Sequence, residues 1–156
     1  MNYSEFLIFG TAFVISFFTF PIAITVINEF RLHDAPGGRK IHSVSTPSLG
    51  GIPIFLGILL SILFWVPIPK ISEYKFLIAS LIIAFILGLR DDLINLKASQ
   101  KLVGQLIPAA LLILFADIRF TSLYGLFGIY EIPYWTSLII TTFTFIVVTN
   151  AFVIGK

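Results

Sequence analysis

Two adjacent carboxylates, Asp91 and Asp92, close an apolar stretch that covers residues 76–89. Removing both from water together penalises their ionised forms, so something cationic has to compensate them. Arg90 and Lys97 are near in sequence, and a divalent metal would compensate more strongly. On a regular helix, neighbouring residues point about 100° apart. The pair therefore does not chelate one ion symmetrically unless the backbone is irregular. A division of labour follows, with one acid toward a metal and the other toward a proton or a lysine. Leu93 to Gln105 is compatible with a helix, on which spacing of four places Lys97 with Lys101, and Lys101 with Gln105, on a shared face. The competing assignment is a salt-bridged helix cap, in which the acids serve the N-terminus of the next helix. The residues taken alone leave these two assignments even.

A second cluster precedes the first. Residues 31–51 read RLHDAPGGRKIHSVSTPSLGG, with Pro36, Gly37 and Gly38 followed by Arg39, Lys40 and His42. Glycines let backbone N–H groups approach a ligand closely, and Arg and Lys pair with phosphate oxygens. Such a segment suits a phosphate, although the segment taken alone is better read as a glycine-turned, positively charged topology loop. His33 and His42 show no zinc-type spacing. There is no Walker-type loop and no Gly-x-Ser-x-Gly elbow. The chain has no cysteine, which excludes disulfides, thiolate metal sites and a cysteine nucleophile.

The elements that must position these clusters are membrane spans. The 156 residues are 58% hydrophobic and only 12% charged, with a mean hydropathy of +1.02, whereas soluble domains are about a quarter charged. A net charge of +2 gives no reason to expect nucleic acid. The N-terminus carries no Lys or Arg before its apolar run and no small-residue cleavage site after it, so that run reads as a retained span rather than a signal peptide. At roughly 20 residues per span, five spans are expected, near residues 6–27, 51–68, 71–89, 102–116 and 134–154, in an all-α single membrane domain over residues 1–156. Packing is expected through small residues such as Gly51, Gly57, Ala79, Ala84, Gly88, Gly104 and Ala109.

With five spans, one side holds Arg31, Arg39, Lys40, Arg90, Lys97, Lys101 and Lys156. The other holds Lys70, Lys75 and Arg119. The excess of Lys and Arg places the first side in the cytoplasm, with the N-terminus outside and the C-terminus cytoplasmic. Residues 117–133, rich in aromatic and β-branched types and broken by Gly125 and Gly128, read either as a small hairpin lying on the membrane or as an irregular interfacial loop.

Taken together, RLHDAPGGRKIHSVSTPSLGG, GLRDDLINLKASQKLVGQ and a late Thr149-Asn150-Ala151-Phe152 resemble the polyprenyl-phosphate sugar-1-phosphate transferases. That family includes the undecaprenyl-phosphate N-acetylglucosamine-1-phosphate transferases and the phospho-N-acetylmuramoyl-pentapeptide transferase. The likeness is greater to the N-acetylglucosamine branch, through Asp34, Pro36, Arg39, Lys40, His42, Pro47, Gly50 and Gly51. The second motif matches at Gly88, Asp91, Asp92, Lys101 and Gln105, and the third opens at Asn150 and Ala151. It covers nearly the whole chain, but only the first half of a usual family member. The resemblance implies transfer of a sugar-1-phosphate from a UDP-sugar to undecaprenyl phosphate, releasing UMP, with Mg²⁺ or Mn²⁺ as cofactor. It implies a multi-pass protein of the bacterial cytoplasmic membrane with its active face inward, partnered by the lipid bilayer and, as a further expectation, by a second copy. On this basis Asp91 and Asp92 form the catalytic acidic pair and contribute to metal binding. Arg39, Lys40, His42, Lys101 and Asn150 contact substrate phosphate.

The chain departs from the family's third motif, Asn-Ala-x-Asn-x-x-Asp-Gly. Val153 stands at the second Asn and Lys156 at the metal-binding Asp. Inactivity of this chain on its own, as a truncated form or a non-catalytic remnant, is expected from that departure. The remaining alternative is a small five-span transporter or assembly protein that uses Asp91 and Asp92 as an intramembrane charge site.

Overall fold

The computed structural model describes residues 3–30, 49–94 and 96–154, with side chains as far as residue 151. Among the described residues every regular element is helical and there is no strand. The chain forms two compact units, Met1–Glu73 and Tyr74–Lys156.

In the first unit, α1 (Tyr3–Glu29) and α2 (Gly51–Trp65) run antiparallel, followed by a short α3 (Ile68–Glu73). The α1–α2 seam is made by small and hydroxylated residues. A Cβ on Gly57 would lie 2.2 Å from Ser16 Oγ and 2.6 Å from the Ala12 carbonyl oxygen, so only glycine permits this approach. Ser16 donates to the Pro53 carbonyl at 3.2 Å, and Trp65 Nε1 donates to Thr11 Oγ1 at 2.9 Å. The outer face of α1 exposes Phe6, Phe9, Phe13, Phe17 and Phe18. An apolar surface of that extent is at home in hydrocarbon, not in water.

The second unit packs α4 (Lys75–Ile94), α5 (Ala98–Ala110) and α6 (Tyr134–Ile154) antiparallel in sequence. Contacts between α4 and α5 step along both helices: the Phe76 and Phe115 rings at 5.1 Å, Ser80 Oγ donating to the Pro108 carbonyl at 2.8 Å, and Gly104 against Leu87. Beyond Pro108, α5 widens into a π-helical turn, Leu111–Phe115, closed by the Ala116 N–H on the Leu111 carbonyl at 3.1 Å. Gly57, Gly104 and Ala109 pack closely as the small-residue pattern requires, whereas Gly51 and Gly88 have open space where a side chain would be.

Among the described residues three helices are long and apolar enough to cross a membrane: α1, α5 with its π-helical turn, and α6, while α2 is a shorter apolar helix. The expected third span, residues 71–89, is divided differently. The helix breaks at Tyr74, and α4 continues through Arg90, Asp91 and Asp92 to Ile94. The helix expected from Leu93 to Gln105 begins only at Ala98, because Lys97 takes an extended conformation and its N–H donates to Gln100 Oε1 at 3.1 Å. Residues 117–133 form a loop with one 3₁₀ turn, Leu126–Gly128, rather than a strand hairpin. Asp117, Tyr124 and Phe127 take positive φ there, which interrupts any extended pairing. Arg119 ties this loop to α6, with Nε on Asp117 Oδ1 at 2.7 Å, Nη1 on Ser137 Oγ at 3.4 Å and the guanidinium 4.9 Å from the Tyr134 ring centroid.

Candidate active site

The end of the second unit opposite Arg119 gathers Asp91, Asp92, Lys101, Gln105 and Asn150. Asp91 stands in the last turn of α4. Its Oδ2 pairs with Lys101 Nζ at 2.7 Å, and its Oδ1 accepts the Leu96 N–H at 3.0 Å. The side chains are largely withdrawn from solvent, with 12% of Asp91 and 22% of Lys101 exposed. Each charge is misplaced with respect to its own helix: a carboxylate near a C-terminus and an ammonium near an N-terminus both oppose the helix dipole. Helix stability alone would favour the reverse arrangement. The pairing offsets both penalties and holds the acid and the lysine together at the helix ends.

For Asp91 the compensating cation is Lys101 rather than its nearer sequence neighbours Arg90 or Lys97. Arg90 lines a separate groove with Leu96, Ser99 and Gln100, and Lys97 serves as the cap position of α5. The helix-cap assignment for the acids is realised in part, since Asp91 does bind the Leu96 N–H just ahead of α5. Asp92 is half-buried on a regular helical turn, so it points about 100° away from Asp91.

One helical turn deeper, Gln105 is 7% exposed and accepts a hydrogen bond from Asn150 Nδ2 at 2.8 Å. The same Nδ2 donates to the Ile146 carbonyl at 2.8 Å, which fixes the orientation of the Asn150 amide and leaves its Oδ1 as the available group. Two motifs 45 residues apart in sequence thus meet through one amide–amide bond. A cavity of about 270 Å³ adjoins them, lined at its polar end by Asp91, Lys101, Gln105 and Thr149 and along its wall by Leu87, Pro108 and Phe145. Gly88 and Thr149 were not singled out as site residues from sequence. Gly88 leaves the cavity open where any larger residue would enter it.

Arg39, Lys40 and His42 lie outside the described residues. Among the described residues no group of three or more His, Cys, Asp or Glu side chains stands together. The two acids diverge and one is held by an ammonium group. These residues do not by themselves make a divalent-cation site, and no chemical step is assigned to a metal.

An all-helical chain of membrane type, with an acid–lysine pair and an amide pair at one end of a three-helix unit, is the class that fold and site define. A family model described as "Glycosyl transferase family 4" matches residues 74–154, the whole of the second unit up to the end of α6. The chain belongs to glycosyl transferase family 4. It is 27% identical, over 94% of its length and 48% of the relative's, to the phospho-N-acetylmuramoyl-pentapeptide-transferase of Desulfitobacterium hafniense. It is 31% identical to the undecaprenyl-phosphate alpha-N-acetylglucosaminyl 1-phosphate transferase of Salmonella typhi, over 71% of this chain and 30% of the relative. A probable undecaprenyl-phosphate N-acetylglucosaminyl 1-phosphate transferase of Bacillus subtilis is 27% identical over 65% of this chain and 29% of the relative. The chain spans about half the length, or less, of the curated relatives it matches. No solved structure matches.

Proposed function

We propose that this chain carries part of a site that transfers a sugar-1-phosphate, N-acetylglucosamine-1-phosphate in the first instance, from a UDP-sugar to undecaprenyl phosphate, releasing UMP, at the cytoplasmic face of a bacterial inner membrane. The observation that carries the reading is the Asp91–Lys101 pair beside the Gln105–Asn150 amide pair, above a cavity that is polar at one end and apolar along its wall. An acceptor with an anionic head and a hydrocarbon tail has that same division of polarity.

In this arrangement Lys101 places a positive charge where the acceptor phosphate meets the nucleotide phosphates, lowering their mutual repulsion. Asp91, held by two donors, fixes the position of that ammonium. Asp92 points elsewhere on the helix and is the acid assigned to take a proton from, or repel and orient, the attacking phosphate. Arg39, Lys40 and His42 are assigned to the diphosphate of the donor by the family resemblance. Mg²⁺, when bound, supplies charge neutralisation between phosphates.

The test is a membrane assay with UDP-N-acetylglucosamine, undecaprenyl phosphate and Mg²⁺, run on this chain alone and on residues 1–151 joined in register to the remainder of a full-length relative. Lys156 occupies the third motif's Asp position, so the chain alone is expected to yield no lipid-linked product, and the joined protein to yield it with release of UMP. Asp92→Asn in the joined protein is expected to lower turnover by about 10²-fold or more, the usual range for loss of a proton-transfer group. Full turnover by a protein with both Asp91→Asn and Asp92→Asn would refute the reading.

A further inference from the structure

The buried carboxamide of Gln105 has one half of its hydrogen-bonding capacity satisfied and the other half directed at the cavity. Its Oε1 is committed to Asn150 Nδ2, and that direction is dictated from outside, because Asn150 must turn the same nitrogen to the Ile146 carbonyl. Gln105 therefore presents its NH₂ group away from Asn150. The side chain is only 7% exposed and lines the 270 Å³ cavity, and among the described residues its Nε2 has no acceptor. Two buried N–H donors without an acceptor are costly, so an acceptor is expected to occupy the cavity when the protein works. Lys101, one helical turn away on α5, lines the same cavity with its ammonium paired to Asp91, which lines it too. The Gln105 NH₂, which has no acceptor of its own among the described residues, stands beside that cation and suits an oxyanion. The wall of Leu87, Pro108 and Phe145 selects an apolar substituent on it.

We infer that Gln105 is a ligand-binding residue whose carboxamide NH₂ donates to a phosphoryl oxygen of a lipid phosphate monoester, with Asn150 as the positioning residue that keeps the NH₂ turned toward the cavity. The inference rests on the transferase reading for the identity of the lipid, but binding is measured without turnover. Glutamine is suited to this place where glutamate is not. Both can accept from Asn150, but a carboxylate has no hydrogen to offer an anion and would repel it.

The experiment uses the whole chain in nanodiscs with farnesyl phosphate as the probe. Saturable binding is expected, weakened about tenfold or more in Gln105→Glu and by a lesser but measurable factor in Gln105→Met, which keeps the volume and removes both donors without adding charge. Farnesol is expected not to compete. Thermal unfolding of each variant identifies any that fails to fold, and the methionine variant alone suffices if the glutamate variant does. Wild-type affinity in the folded variants would overturn the inference, as would absence of saturable binding to the wild-type chain. Displacement by inorganic phosphate at the same concentration as farnesyl phosphate would overturn the lipid assignment and leave a free-phosphate site. Loss of binding in the variants while the joined protein shows no sugar transfer would sink the transferase reading and leave this one standing.

Discussion

Asp91 is used twice by the fold, once as an acceptor for the Leu96 N–H and once as the counter-ion of Lys101. Substituting Lys101 therefore tests more than catalysis. Lys101→Met strands a largely buried carboxylate and is expected to cost about 1–3 kcal/mol in unfolding free energy, read by thermal or denaturant unfolding in detergent. Lys101→Arg keeps the charge but moves it, and should recover most of that stability while leaving transfer in the joined protein impaired. If Lys101→Met unfolds like the wild type, the pair contributes nothing to the fold. Much of this site was legible in the sequence, because Asp91, Lys101, Gln105 and Asn150 are polar residues at the edges of apolar runs and four-residue spacing puts Lys101 and Gln105 on one face. Their partners were not legible. A bond between residues 105 and 150 has no period in the sequence, and the choice of Lys101 over Arg90 depends on where α4 stops and α5 starts.

At the scale of elements, the close approaches differ in what they would tolerate. The clash facing a Gly57 Cβ includes the Ala12 backbone oxygen at 2.6 Å, which cannot move without moving α1, whereas the clash at Gly104 is with the tip of Leu87. Gly57→Ala is expected to destabilise the α1–α2 pair by about 1–3 kcal/mol and Gly104→Ala by clearly less, a ranking that parallel unfolding measurements decide. Gly88→Ala should fold normally, since nothing lies within 4 Å of its would-be Cβ, and its effect should appear only in ligand binding to the cavity beside it. The sequence pattern located α6 to the residue, because an uncharged, mostly apolar run bounded by Pro133 leaves little choice. It placed the start of α5 too early. Leu93 and Ile94 look like the continuation of an apolar face, and nothing in composition announces that Lys97 will be extended and capped by Gln100. The loop at 117–133 was open between hairpin and irregular, and positive φ at three non-glycine residues is a tertiary outcome, imposed where Arg119, Ser137 and Thr141 draw the loop onto α6.

For the molecule as a whole, the proposed cytoplasmic orientation of the acidic end rests on the distribution of Lys and Arg and is open to direct measurement. The absence of native cysteine makes single-cysteine labelling clean. Ser99→Cys, at the Asp91 end of the second unit, should react with an impermeant maleimide only after the membrane is opened. Tyr124→Cys, at the Arg119 end, should react in intact cells. The reverse pattern would remove the premise that nucleotide and lipid phosphates meet at Asp91 and Lys101. Composition alone was enough to read a membrane-type helical chain, because an apolar face such as that of α1, with its exposed phenylalanines, has no other solvent. It could not reveal the division into two compact units, which depends on which helices pair.

The π-helical turn after Pro108 holds a spare residue. Removing one amino acid from Leu111–Phe115 would let that turn relax to ordinary α-helix while α5 upstream, with Lys101 and Gln105, keeps its setting. A deletion of the same size between Ala98 and Ile107 would instead rotate everything that precedes or follows it by about 100° and pull the lysine from its acid. This stretch of the chain can therefore gain or lose a residue in evolution at one place and not at the other, and lineages differing in length by a single position would be expected to differ there.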